Sequence, residues 1–139
     1  MKTMQRLFLL FAVLSLAACG NNDTVLNGTY LPGTPFNLPF ADTASCNGCD
    51  GPVLNFSQVV TDSRCPSQVV CVWEGAVTVE LEANGETIQL TRSANAGANA
   101  PLDTLGNWVI RLIEVNPYPE QAGSILDEDY SLELEVTQL

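Results

Sequence analysis

Residues 72–91, VWEGAVTVELEANGETIQLT, decide the fold. Val77, Val79 and Leu81 alternate with Thr78, Glu80 and Glu82, the period of a strand with one face in a core and one in water. Asn84-Gly85 then interrupts the alternation with two residues that tolerate positive φ. Beyond them Ile88 and Leu90 alternate with Thr87, Gln89 and Thr91. Asn-Gly between two alternating runs is the sequence of a β-hairpin with a two-residue turn.

The same period recurs on both sides of this hairpin. VLNFSQVVT (53–61) sets Leu54, Phe56, Gln58 and Val60 on its more apolar side, against Val53, Asn55, Ser57, Val59 and Thr61. WVIRLIEV (108–115) is apolar on both faces apart from Arg111 and Glu114, which suits a central strand. The terminal YSLELEVTQL directs Tyr130, Leu132, Leu134 and Val136 to a core and Ser131, Glu133, Glu135 and Thr137 to water. Upstream, GTYLPGTPFNLPFADTAS carries three prolines and reads as an extended edge or wrapping segment. Residues 93–107 and 116–129 read as long loops, and no stretch after residue 20 keeps a helical period over ten residues. Six to eight short strands with turn-rich connections predict an all-β fold, a single antiparallel β-sandwich stapled by disulfides, with a small β-barrel as the alternative.

The chain opens with MKTMQRLFLLFAVLSLAACG, where Lys2 and Arg6 precede a short apolar run, Leu7 to Leu16. This is the layout of an export signal, shorter than the ~20 apolar residues of a membrane span. Leu16-Ala17-Ala18-Cys19 resembles the lipobox of bacterial lipoproteins. The resemblance implies removal of residues 1–18, with Cys19 the mature first residue, carrying diacylglycerol on its sulfur and a further acyl chain, such as palmitate, on its amine. Several acyl chains, at about 0.8 kcal/mol per buried CH₂, hold a protein stably on a bilayer. Residues 19–27 then read as a lipid-anchored tether and 28–139 as the β-sandwich domain. Gly20 stands where an aspartate resembles an inner-membrane retention signal. The expected address is therefore the cell envelope, with the outer membrane favoured in a Gram-negative host.

Removal of residues 1–18 takes away Lys2 and Arg6. Three arginines remain, Arg64, Arg92 and Arg111, against sixteen acids, a net charge of −13. Such a surface repels phosphate backbones, so no nucleic-acid partner is expected. The anchor to the membrane is then the lipid alone. The sequence contains no histidine, which removes the commonest general base and the Ser-His-Asp and Cys-His arrangements. No catalytic set, cofactor site or metal site is expected. Asp127-Glu128-Asp129 lacks the spacing of a Ca²⁺ loop and reads as a solvated turn.

Five cysteines are an odd number for an exported chain; with Cys19 assigned to lipid, Cys46, Cys49, Cys65 and Cys71 remain for disulfides. Cys46-Asn47-Gly48-Cys49 has the spacing of a thiol oxidoreductase, but no βαβ setting that would stabilise a thiolate surrounds it. Three connectivities exist. Cys65 with Cys71 is favoured because Pro66 and Ser67 can reverse the chain, leaving Cys46 with Cys49. The competing arrangement staples Cys46 or Cys49 to the 65–71 loop.

DSRCPSQVVCVWEGAVTVEL, from Asp62 to Leu81, resembles a pattern in small exported bacterial proteins and lipoproteins, D-S-R-C-P-x4-C-x-W-x-G followed by a strand. The resemblance implies a shared domain and no particular chemistry. Its candidate binding residues here are Arg64, Trp73 and Glu74. For Arg64 the structural reading is pairing with Asp62 or Glu74, or stacking on Trp73; the functional one is a fork for a carboxylate or phosphate. Trp73 is expected to anchor core or loop. The chain as a whole reads as a non-catalytic envelope module that binds a protein, glycan or small ligand. The alternatives are an inhibitor of an envelope enzyme and a thiol oxidoreductase using Cys46 and Cys49.

Overall fold

A computed structural model describes residues 28–93 and 100–139; the expectations for the signal, Cys19 and the tether lie outside these residues. The described residues form nine strands: β1 (Gly28–Tyr30), β2 (Phe36–Pro39), β3 (Thr43–Cys46), β4 (Leu54–Asp62), β5 (Ala76–Ala83), β6 (Glu86–Ser93), β7 (Leu102–Leu105), β8 (Trp108–Asn116) and β9 (Ser131–Gln138). They build two sheets, ordered β1-β3-β4-β5-β6 and β2-β9-β8-β7. Every pairing is antiparallel except β1 with β3. The fold is thus an all-β sandwich with open edges, not a closed barrel.

The hairpin that predicts this fold pairs Ala83 with Glu86 through to Ala76 with Ser93 without a register shift. Asn84 and Gly85 take φ values of 50° and 84° at its turn, the backbone that matches the twist of both strands. The Asn84 side chain also accepts a hydrogen bond from the Val53 N–H at 2.9 Å, stitching the turn to β4. Val77, Val79, Leu81, Ile88 and Leu90 face the core, opposed by Ile110, Leu112, Val115, Leu132, Leu134 and Val136 of the second sheet. Burial of these alternating side chains, at roughly 25 cal/mol per Å² of apolar surface, is the main force holding the sheets together.

Simple alternation misplaces residues where strands bulge. The β4–β5 register shifts between Phe56 and Gln58 and again between Val59 and Thr61. Leu54 and Phe56 therefore point inward as expected, whereas Val59 packs against the core and Val60 is exposed. A bulge inserts one unpaired residue and reverses the parity beyond it. In β8 a shift between Leu112 and Glu114 turns both Leu112 and Val115 inward.

Two other expectations change. The stretch 93–107 is not all loop, since Leu102–Leu105 forms β7 against β8. The proline-rich segment supplies three short strands that alternate between sheets, β1 and β3 in one and β2 in the other. This raises the strand count to nine. Gly33 at φ 75° donates its N–H to the Val136 carbonyl at 2.8 Å where the chain crosses over. On the return, Asn55 Nδ2 donates to the carbonyls of Ala41 and Asp42 at 3.3 and 3.0 Å. Tyr30 stacks on Phe36 between the sheets, and its hydroxyl donates to the Pro52 carbonyl at 2.7 Å.

The cysteines pair as Cys46–Cys49 and Cys65–Cys71, with Cα atoms 5.4 and 5.9 Å apart. Ala44, two residues before Cys46, is level with Leu54 at the start of β4, while Cys65 follows Asp62 at its end. A nine-residue strand, at about 3.3 Å per residue, separates the two bridges. That separation rules out a staple between Cys46 or Cys49 and the 65–71 loop.

Candidate functional site

β4 and β5 are joined at one end of the sandwich by residues 63–75, the disulfide-clamped loop. Its stem continues the sheet: the Ser63 N–H donates to the Ala76 carbonyl at 2.8 Å, and the Cys65 N–H to the Glu74 carbonyl at 2.9 Å. Gly75 sits in the stem at φ 70°, and a Cβ there would run into the Ser63 carbonyl. Only glycine fits, for both reasons. Farther out, the Ser67 N–H donates to the Pro119 carbonyl at 3.0 Å, tying the loop to the 117–126 connection of the other sheet.

Arg64 is the one charged residue buried among those described. Its Nε and Nη2 grip both oxygens of Asp62, at 2.9 Å to Oδ1 and 2.6 Å to Oδ2. The outer nitrogens reach the second sheet, Nη1 donating to the Val115 carbonyl at 2.6 Å and Nη2 to the Pro117 carbonyl at 3.0 Å. The Tyr118 ring lies over the guanidinium with its centroid 5.2 Å from Cζ. On the far side of the carboxylate, the Tyr130 hydroxyl donates to Asp62 Oδ2 at 2.9 Å. A planar fork with five donors suits this combination of one bidentate partner and two carbonyls.

The charges tune one another. Burial pushes the Asp62 carboxyl up, but the hydrogen bonds and charge of Arg64 and the Tyr130 hydroxyl pull harder, holding it below its ordinary value. Tyr130 is pushed up to about 12, first by burial and then by the neighbouring Asp62 carboxylate. Asp62 therefore stays ionised and Tyr130 stays a donor across the physiological range. With its fork occupied by Asp62 and two carbonyls, Arg64 holds the two sheets and the root of the loop in one piece.

The loop ends differently from expectation. Trp73 does not anchor the core or stack on Arg64; it is 82 % exposed, as are Val72 at 91 %, Val70 at 102 % and Val69 at 55 %. The reason is local. Strand β5 begins only at Ala76, the stem pairing that extends it stops at Glu74, and Trp73 lies beyond that last bond. Glu74 is exposed too, and the ion-pair partner of Arg64 is Asp62. The loop thus joins Arg64 to Trp73 and Glu74 along the chain without bringing the three side chains together. Tyr118 and Tyr130 are the partners that sequence reasoning missed as site residues. The signals were present as a tyrosine between two prolines in Asn116-Pro117-Tyr118-Pro119 and a tyrosine at the first inward position of the last strand.

Two open cavities flank Arg64. One of about 150 Å³ lies between Asp62, Pro119, Ser124 and Tyr130, and one of about 360 Å³ between Val77, Arg92, Glu114 and Tyr118. Among the described residues, no group of three acidic or cysteine side chains is arranged to hold a metal ion. Scans against protein-family models, curated proteins and solved structures each find no match to this chain.

Proposed function

We propose that this chain is a lipid-anchored module of the cell envelope that binds a partner protein through the tip of its disulfide-clamped loop, without catalysis. The anchoring part of the reading rests on Leu16-Ala17-Ala18-Cys19 and the export signal before it. The binding part rests on one observation: Val69, Val70, Val72 and Trp73 are all more than half exposed, side by side, on a loop fixed by Cys65–Cys71 and rooted in Arg64.

Contiguous apolar side chains on a surface otherwise rich in acids mark an interaction site. A rigid loop loses little conformational entropy on binding, and tryptophan is among the residues that contribute most at interfaces. The tip offers side chains that are largely exposed, with Val70, Val72 and Trp73 all above four-fifths, so it suits an apolar site on a protein better than it suits a small ligand, which needs an enclosing pocket. The same observation favours, as a second reading, a partner that is an envelope enzyme whose cleft the tip occupies.

The test is crosslinking and recovery from native membranes with the unaltered chain beside Trp73→Ser and Val70→Ser. These side chains touch no core, so both variants should fold with unchanged stability. They should lose the partners that the unaltered chain recovers. Equal recovery by folded variants would sink the reading.

A further inference from the structure

A sandwich has four sheet edges, and three of them here are blunted against pairing with another chain. β1 is three residues long and is followed at once by Leu31-Pro32. β2 carries Pro39 and is preceded by Pro35. β7 is four residues long and follows Pro101, and the Asp103 side chain accepts its own edge donor, the Thr104 N–H, at 2.7 Å. β6 differs. It is eight residues long, free of proline, glycine and bulges, and no described strand pairs along its outer side.

The backbone groups on that side follow from the hairpin. Ala83 and Glu86 flank the two-residue turn and exchange both of their hydrogen bonds, so Glu86, Ile88, Leu90 and Arg92 direct their N–H and C=O groups toward β5. Thr87, Gln89 and Thr91 direct theirs outward. The sequence of the strand, Glu86-Thr87-Ile88-Gln89-Leu90-Thr91-Arg92, is complementary to itself when reversed about Gln89.

The geometry points to a homodimer in which β6 of one copy pairs antiparallel with β6 of a second about a two-fold axis at Gln89. In that register Gln89 faces Gln89, and each Thr87 faces the other copy's Thr91, all with outward backbone groups that can bond. Ile88 faces Leu90 on the core side, and Glu86 faces Arg92 at both ends. Arg92 has donors for this contact, since its present ion pair with Glu114 is loose at 3.6 Å. Competing arrangements are disfavoured by the same residues: shifting by two places sets Arg92 against Ile88 or Glu86 against Leu90, and parallel pairing sets like charges side by side. The short edge makes the association reversible, being small against the ~1,600 Å² of a standard interface.

Directly opposed, bonded residues of an antiparallel pair have Cα atoms about 5.5 Å apart, within the span of a disulfide. Full-length chain carrying Gln89→Cys, in mild detergent under gentle oxidation, should therefore form a covalent dimer on a nonreducing gel. Thr87→Cys or Thr91→Cys alone should not, while an equal mixture of the two should. Adding Glu86→Arg or Arg92→Glu to Gln89→Cys should each lower the dimer yield several-fold, and mixing those two should restore it. Glu86, Thr87, Gln89 and Thr91 are exposed and Arg92 is half-buried, and circular dichroism verifies that each variant folds. Absence of the Gln89→Cys dimer, or equal linking by Thr87→Cys alone, overturns the proposal. So does Gln89→Cys linking in intact envelopes to a different protein, which would make the edge a site for a foreign strand.

Discussion

Arg64 Nη1 donates to the carbonyl of Val115 at 2.6 Å, across 51 residues of sequence and from one sheet to the other. A guanidinium is therefore the fastener at the end of the sandwich where the clamped loop leaves, and Asp62 is the counter-ion that makes its burial tolerable. A largely buried charge that loses its partner costs several kcal/mol, because the remaining ion is left without a counter-charge in a site that water reaches only in part.

Replacement of Arg64 by methionine should accordingly destabilise the fold by about 3–5 kcal/mol, since it strands the Asp62 carboxylate and frees two carbonyls. Arg64→Lys should recover little of this loss. An ammonium keeps the charge but cannot hold both oxygens of Asp62 and also reach Val115 and Pro117. Asp62→Asn should fall between the two. Urea denaturation of the three variants gives the ranking, and an Arg64→Lys protein as stable as the unaltered chain would remove Arg64 from this role.

The same cluster sets the response to pH. The folded value of Asp62 lies below its unfolded one. Its contribution is thus complete above the ordinary carboxylate value of 3.8 and is lost as the pH falls through the folded value. Tyr30 and Tyr130 are both raised, from 10.0 to about 12. Their contribution is complete below pH 10 and is lost between 10 and 12, where the unfolded chain ionises first. Stability should be flat through the neutral range and fall at both ends. Tyr130→Phe should blunt the alkaline fall and, because it removes one of the hydrogen bonds that hold Asp62 low, lessen the acid fall in part while the Arg64 contribution to it remains; unfolding free energies measured against pH show whether it does.

The sandwich was legible because the signals that specify it are local. Asn84-Gly85 and the alternation from Val77 to Leu90 need nothing from elsewhere in the chain, and the terminal strand from Tyr130 to Val136 is equally self-contained. What escaped depends on distant partners or on a one-residue change of parity. Val60 reads as inward until the two bulges of β4 are known, and those bulges are set by the pairing with β5. Leu102–Leu105 is too short for a period and becomes a strand only beside β8. At the site, Arg64 with Asp62 could be read from two positions of sequence. Val115, Pro117 and Tyr130 could not, because tertiary closure alone brings them there. Trp73 was misread for a different reason: a tryptophan two residues after a cysteine suggests an anchor, and the point at which the stem pairing stops, at Glu74, is set by a hydrogen bond from Cys65 across the loop and not by the residues next to Trp73.

Two glycines with nearly the same backbone angle separate conformational strain from collision. Gly75 has φ 70° and Gly33 φ 75°, so alanine at either must adopt a left-handed conformation, at roughly 1–2 kcal/mol. At Gly33 a Cβ would meet open space, whereas at Gly75 it would meet the carbonyl of Ser63, a residue whose N–H is bonded to the Ala76 carbonyl in the stem of the loop. Gly33→Ala should therefore cost only the backbone term. Gly75→Ala should cost that and more, by prising β4 from the start of β5 and loosening the root on which Arg64 and the apolar tip depend. Thermal denaturation compares the totals. Hydrogen exchange at the Ser63 and Cys65 amides locates the difference, since both should lose protection in Gly75→Ala and keep it in Gly33→Ala. Equal costs, with the stem amides protected in both, would mean that the stem can yield around a methyl group.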